Sequence, residues 1–155
     1  TFHLLLEKLS HTGKMDDCDK MVYEMARRGF VSDAISHSHL VYATAVRGYN
    51  QKVDSMIQHA LTKFGDEGEI ICLSAACVAA AAGGRIDRLR ELLRRSVDSS
   101  LRLRLSHSSI FDMIWVLSEK NVHNDTRNHS TLIEEILSRT QHEAGFFRYL
   151  FREVD

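Results

Sequence analysis

The sequence predicts an all-α protein built from repeated pairs of helices. Proline is absent from the 155 residues, and no long run of β-branched residues indicates a buried strand. Gly13, Gly48 and Gly83 lie 35 residues apart, each between two stretches whose apolar residues have helical spacing. A period of about 20 to 50 residues is typical of helical solenoids. We therefore expect an α-solenoid of about four helix-turn-helix repeats, each about 35 residues long.

The first unit, about residues 1–33, contains two amphipathic helices. Gly13 is placed to turn the chain between them, and Gly29 is placed to end the second helix. Asp33 then stands where it can cap the helix that follows. The apolar faces are formed by Phe2, Leu5, Leu6 and Leu9 in the first helix and by Met15, Cys18, Val22 and Met25 in the second.

The second unit, about residues 34–68, repeats this pattern, and Gly65 and Gly68 are expected to end its second helix. The third unit, about residues 69–104, begins with the Ala-rich stretch ICLSAACVAAAA. Because that helix has small side chains nearly all round, we expect it to be buried between closely approaching neighbours. The three cysteines are expected to be buried small hydrophobes rather than disulfide partners or metal ligands: Cys18, Cys72 and Cys77.

The period weakens in the fourth unit, about residues 105–140. Its helices are expected in LSHSSIFDMIWVLSEK and TRNHSTLIEEILSRT, although the 35-residue period would place a turn at Ser118. Trp115 is expected in the core. The run LRLRL alternates like a strand, but a strand without a partner is unstable, so we expect a loop or a helix start. Residues 141–155 complete the single helical-repeat domain as a short aromatic helix.

The opening stretch TFHLLLEKLSHTGKMDDCDKMVYEMARRGFVSD closely resembles a pentatricopeptide repeat. It lacks the early Leu-Gly of the tetratricopeptide pattern. The resemblance is specific over residues 1–33, fair over residues 34–68 and thin beyond about residue 98, and its loose style is similar to that of animal organelle members. Because the chain opens inside a helical pattern, we expect a fragment of a longer protein. The matching features are Thr1-Phe2, Leu5-Leu6, Gly13-Lys14, Asp16-Asp17, Met25, Gly29 and Asp33.

The resemblance implies a right-handed superhelix that binds single-stranded RNA, with about one base per repeat read by two or three side chains. It implies a mitochondrial protein that acts in mRNA stability, RNA processing or translation regulation. His3 and Asp33 would face a base in the first unit, and Ser38 would do so in the second. Leu73 occupies the corresponding place in the third unit, where it cannot read a base edge. The remaining implied contacts are Ile35 and Ile70, which would pack on bases, and His11, which would face a phosphate.

Positive charge is concentrated in one segment, although the formal net charge of the chain is −1. Residues 70–104 carry seven arginines and three acidic residues. Such a segment can neutralise phosphates, which dominate affinity for nucleic acids. The alternative interpretation is a solvated outer helix face. The candidate phosphate contacts are Arg85, Arg88, Arg94 and Arg95.

An alternative function is a protein–protein interaction scaffold in a larger RNA–protein assembly, such as a mitochondrial ribosome. Phe147 and Phe151 are then candidates for contact with a protein partner. We expect no enzyme and no cofactor, since no nucleophile or phosphate-loop motif is present. The nine histidines show no metal-binding spacing, so no metal site is expected. The most apolar window, residues 70–82, is shorter than the roughly 20 residues of a membrane span.

Overall fold

The computed structural model describes residues 2–12, 14–30, 33–97, 103–124 and 127–140. Over these ranges the chain is mainly helical and contains no strand longer than an isolated bridge, which confirms the all-α prediction. Within this part of the chain the helices are α1 (Phe2–His11), α2 (Met15–Arg27), α3 (Ala34–Val46), α4 (Asn50–Ala82), α5 (Ile86–Arg95), α6 (His107–Asn124) and α7 (Arg127–Arg139).

Each helix packs against its neighbours in a regular order. Helices α1 and α2 contact each other, as do α4 and α5, and α6 and α7. A second set of contacts joins α1 to α3, α3 to α4, and α4 to α6. Helices α2 and α3 also contact each other, so α3 contacts both of the helices that precede it.

Helix α4 contains a break at Gly65. This residue has φ 74° and ψ −165°, a backbone conformation that is essentially restricted to glycine. It divides α4 into an N-terminal arm, residues 50–64, and a C-terminal arm, residues 66–82. The prediction that a helix ends at Gly65 is confirmed, and one residue alone separates the two arms. The same prediction for Gly68 is wrong, because Gly68 is buried inside the C-terminal arm.

Three helix ends share one hydrogen-bonding pattern, in which a positive-φ glycine precedes an N–H that bonds five residues back. The N–H groups of Phe30, Tyr49 and Arg85 donate to the carbonyls of Met25, Thr44 and Ala80. The glycines are Gly29, Gly48 and Gly84. The periodic Gly83 was expected to turn the chain, but it keeps right-handed helical dihedrals and Gly84 takes the positive φ instead.

The apolar core runs from α3 to α7. Fully buried side chains come from each of these helices, among them Val41, Ile57, Leu73, Leu92, Ile114 and Ile136. The Ala-rich arm is buried as predicted, because alanines there leave room for close packing of neighbouring helices. A smaller cluster formed by α1, α2 and α3 contains Leu6, Cys18, Met25 and Ala43.

The cysteine prediction is also confirmed, since Cys18, Cys72 and Cys77 are all free and buried. One prediction for the fourth unit is wrong. Trp115 is 49% exposed instead of lying in the core, because the core face of α6 is already filled by smaller apolar residues. The helix predicted in LSHSSIFDMIWVLSEK is confirmed, since α6 continues through Ser118 although the 35-residue period is interrupted there.

Residues 103–105 are not helical. Leu103 forms an isolated antiparallel bridge with Val97, and its N–H donates to the carbonyl of Arg139 at 3.3 Å. The N–H of Arg104 donates to the carbonyl of Ser96 at 2.8 Å. The described part of LRLRL is therefore a loop, as expected, that ties the end of α5 to the end of α7.

Candidate nucleic-acid interface

The start of α3 carries two of the residues that the resemblance assigns to RNA. Asp33 is exposed and caps the helix, since its Oδ1 accepts a hydrogen bond from the N–H of Ser36 at 2.8 Å. Ile35 lies two residues further on and is 52% exposed. An isoleucine that leaves half its surface in water gains little from folding, and here it stands beside a carboxylate at the entrance to a helix.

Ser38 lies one turn further along α3 and is only 8% exposed. Its hydroxyl donates to the carbonyl of Ile35 at 2.7 Å, a local bond that occupies the donor. Ile70 is half-buried, and Leu73 in the third unit is fully buried. The exposed residues of the proposed base-facing set are thus concentrated at the start of α3.

His11 ends α1 and packs on α3. Its ring lies 4.8 Å from that of Tyr42, and its Nδ1 lies 2.7 Å from the carbonyl oxygen of Glu7, where an N–H on that nitrogen would donate. The imidazole remains exposed and extends the surface of α3 towards α1. The backbone of His3 lies in α1, but its side chain is outside the described part of the structure.

Arg85 is held inside the protein. Its guanidinium donates to the carbonyl oxygens of Ala45 and Val46 at the carboxyl end of α3. These carbonyls belong to the last turn of α3 and lie at the negative end of the helix dipole, and that of Ala45 also accepts from the N–H of Gly48 at 2.9 Å. A Cβ at Gly48 or Gly83 would lie within 3.4 Å of this guanidinium, so the two periodic glycines leave the space that Arg85 fills.

Arg88 and Arg95 project from α5 onto the N-terminal arm of α4. Both donate to the same oxygen, Oδ1 of Asp54, at 2.7 and 2.6 Å. Arg88 also pairs with Glu91 at 2.9 Å, and its side chain is only 9% exposed. Burial alone would raise the pKa of the Asp54 carboxyl, but the hydrogen bonds and charges of the two arginines outweigh it and lower the pKa.

Arg94 is the exposed member of the four candidate phosphate contacts. The other three bind carbonyl or carboxylate oxygens of neighbouring helices, so a phosphate would have to compete with those bonds. Sequence analysis missed these contacts because the partners lie 34 to 41 residues away in the chain. The sequence does show a glycine followed by a cation at Gly84-Arg85. This motif does not reveal that Arg85 contacts the end of α3.

Two aromatic clusters were also missed. His37 lies between α3 and α4, with its ring 5.6 Å from His59 and 6.1 Å from Phe64. Burial lowers its pKa, and its Nε2 lies 3.0 Å from the carbonyl oxygen of Met56. On α6 the rings of Phe111 and Trp115 stack at 6.2 Å. The four-residue spacing of that pair was a usable signal for a shared helix face.

Three further predictions concern a metal site, a membrane span and the partner contacts of Phe147 and Phe151. No group of three or more potential metal ligands occurs among the described residues. No helix in the described ranges combines the length and apolar character that a bilayer span requires. Phe147 and Phe151 lie outside the described residues.

Comparison with known proteins gives no family assignment. No protein-family model matches the sequence, and no curated protein matches it significantly.

Proposed function

We propose that this chain is a pentatricopeptide-type helical-repeat protein that binds single-stranded RNA. The observation that carries the proposal is the pair formed by Asp33 and Ile35, both exposed at the start of α3. A carboxylate can accept hydrogen bonds from a base edge, and the flat apolar side of an isoleucine can pack on a base. The proposed role is binding rather than catalysis.

The order of helix contacts supports this arrangement. The contacts of α1 with α3, of α3 with α4 and of α4 with α6 are those expected if the first helices of successive solenoid repeats lie side by side. In the proposed right-handed superhelix, an extended RNA strand would cross these helices in turn. His11 lies beside Tyr42 on the same path, where its imidazole would be close to a phosphate.

The internal contacts of the arginines change the expected salt dependence. If Arg85, Arg88, Arg94 and Arg95 all bound phosphates, they would contribute about −2.8 to the slope of log affinity against log salt concentration. If Arg94 alone does so, the contribution falls to about −0.7. We therefore expect binding that depends mainly on contacts with bases and only weakly on salt.

The test is a fluorescence-anisotropy titration with a labelled, randomised single-stranded RNA at two salt concentrations. A duplex of the same length is the control, because its bases are stacked and unavailable. The Ile35→Ala variant should bind the single strand about fivefold more weakly, the lower end of values for base packing. Leu4→Ala is the matched control, since Leu4 is an exposed apolar residue of α1, 62% accessible.

Asp33→Asn separates base reading from helix capping. Asparagine caps a helix about as well as aspartate, so the fold should be kept while the hydrogen-bonding edge changes. We expect an altered base preference in selection from the randomised pool. Equal affinity of the single strand and the duplex, or unchanged affinity in Ile35→Ala together with unchanged preference in Asp33→Asn, would reject the proposal.

The second candidate function is a protein-interaction scaffold within a mitochondrial RNA–protein assembly. It is favoured by the internal engagement of Arg85, Arg88 and Arg95, which reduces the charge available to a polyanion. Alanine substitution of Phe147 and Phe151 would then release a protein partner in quantitative co-purification, without changing RNA affinity. For either role, we propose mRNA stability, RNA processing or translation in mitochondria, to be tested by subcellular fractionation of the full-length protein.

A further inference from the structure

One face of α6 carries two aromatic rings and two carboxylates. Trp115 is 49% exposed and stacks on Phe111, with ring centroids 6.2 Å apart and planes inclined by 21°. Asp112 lies three residues before Trp115 and Glu119 lies four residues after it, and both are exposed. Residues three and four apart share one helix face, so this segment forms a single aromatic and acidic surface.

The charge of this face also acts on α3. Burial is the main cause that raises the pKa of the Tyr42 hydroxyl, and the negative charge of Asp112 raises it further. The negative charge of Asp112 therefore affects a residue of α3, although α3 and α6 each pack against α4. Tyr42 itself is half-buried, and its ring packs on His11 of α1.

The two carboxylates are available for a partner. Among the described side chains, none forms an ion pair with Asp112 or Glu119, whereas on α4 Asp54 and Glu69 are both paired with arginines. The face of an indole attracts cations, and arginine is the commonest such cation in proteins. A guanidinium can stack on the ring while it donates to the flanking carboxylates, which an ammonium cannot do as well. An RNA phosphate would instead be repelled.

We propose that this α6 surface, formed by Phe111, Asp112, Trp115 and Glu119, is a docking site for an arginine-bearing segment of a partner protein. The complementarity of charge selects that occupant over an RNA strand. The site lies on a different helix from Asp33 and Ile35, so it does not depend on the RNA proposal. It would give the scaffold role a defined partner chemistry.

Trp115 is the single tryptophan of the chain, which makes its fluorescence a direct probe of this surface. The probe ligand is an acetylated eight-residue peptide of alternating arginine and glycine. Its control is the same peptide with citrulline in place of arginine, which keeps the shape and removes the charge. We expect a saturable change in Trp115 emission with the arginine peptide and a much smaller change with the citrulline peptide.

Variants then test the two halves of the site. The double variant Asp112→Asn, Glu119→Gln should weaken binding about fivefold, as expected for the loss of two exposed charge pairs. The matched control is Glu67→Gln, Glu134→Gln, which removes the same charge from exposed positions on α4 and α7 and should leave binding unchanged. With a labelled arginine peptide, anisotropy should show a comparable loss for Trp115→Ala.

Three results would overturn the proposal. The first is equal binding of the arginine and citrulline peptides. The second is equal weakening by the acidic double variant and its charge-matched control. The third is a saturable change of Trp115 emission with a twelve-residue oligouridine of similar size to that with the arginine peptide, which would identify the surface as a base-stacking platform. Each readout is independent of the anisotropy titration at Ile35.

Discussion

The paired arginines on Asp54 make a sharp prediction about stability. Asp54 lies on the N-terminal arm of α4, and its Oδ1 accepts from both Arg88 and Arg95 of α5. The substitution Asp54→Asn removes the charge while it keeps the size of the side chain. We expect it to destabilise the packing of α5 against α4, because Arg88 is 91% buried in terms of its side-chain surface and would lose its closest cross-helix counterion.

The size of the expected loss in stability depends on how far Asp54 and Arg88 are buried. Hydrogen bonds to charged groups contribute about 1.5–3 kcal/mol each, whereas exposed ion pairs contribute about 0–1 kcal/mol. Asp54 is 40% exposed, so solvent screens it, and Arg88 keeps its bond to Glu91. We therefore expect a loss of about 2 kcal/mol in the free energy of unfolding. For a chain of this size that corresponds to a Tm lower by about 4–8 °C.

The assay is urea denaturation followed by circular dichroism at 222 nm. Asp87→Asn is the matched control, since Asp87 is fully exposed and lies 3.9 Å from Arg90. It should cost less than about 1 kcal/mol, the range of an exposed pair in the first turn of a helix. If Asp54→Asn cost no more than Asp87→Asn, the reasoning from burial would be refuted.

The interaction of Asp54 with Arg88 and Arg95 also predicts how the stability depends on pH. The pKa of Asp54 is lowered in the folded state, so its stabilisation is fully present above the ordinary carboxyl pKa of about 3.9. It is lost as the pH falls through the folded-state pKa. The difference in unfolding free energy between the natural chain and Asp54→Asn should therefore be constant near pH 7 and shrink below about pH 4. A difference that is as large at pH 2 as at pH 7 would contradict this assignment.

Three further predictions concern single residues. Asp33→Ala should cost about 1 kcal/mol in urea denaturation by removing the cap on Ser36, and Asp33→Asn should cost less than half of that. Gly65→Ala should cost at least about 1 kcal/mol in the same assay, through backbone strain alone, because a Cβ there would contact nothing within 4 Å. Cys77, whose pKa burial raises to about 12, should resist iodoacetamide at pH 8 in the native protein and react in urea, as measured by mass spectrometry.

Much of the fold could be predicted because it depends on local patterns. The helical spacing of apolar residues and the glycines at 29, 48 and 65 correctly indicated where helices form and end. The alanines and cysteines of the C-terminal arm of α4 correctly indicated a buried helix. These features need only the chemistry of a residue and its close neighbours in sequence, so a single chain reveals them.

The errors come from features that depend on distant partners. Trp115 is apolar enough for a core, but the contacts of α6 with α4 and α7 decide which face is covered. Arg85 and Arg88 had no sequence signal for partners on α3 and α4. Among the site residues, exposure of Asp33 and Ile35 is compatible with the resemblance, whereas Ser38 is buried and its hydroxyl is bonded to the carbonyl of Ile35. RNA binding itself stays a prediction.

Gly65 has a consequence for how this chain can change over evolution. A single residue joins the two arms of α4. The orientation of the C-terminal arm relative to the N-terminal arm therefore depends directly on the φ and ψ angles of Gly65. An inserted residue would rotate the following helix by about 100° and shift it by about 1.5 Å, which would turn the buried alanines towards water. We therefore expect insertions and deletions in related chains to avoid position 65 and to collect in the connections that follow residues 29 and 97.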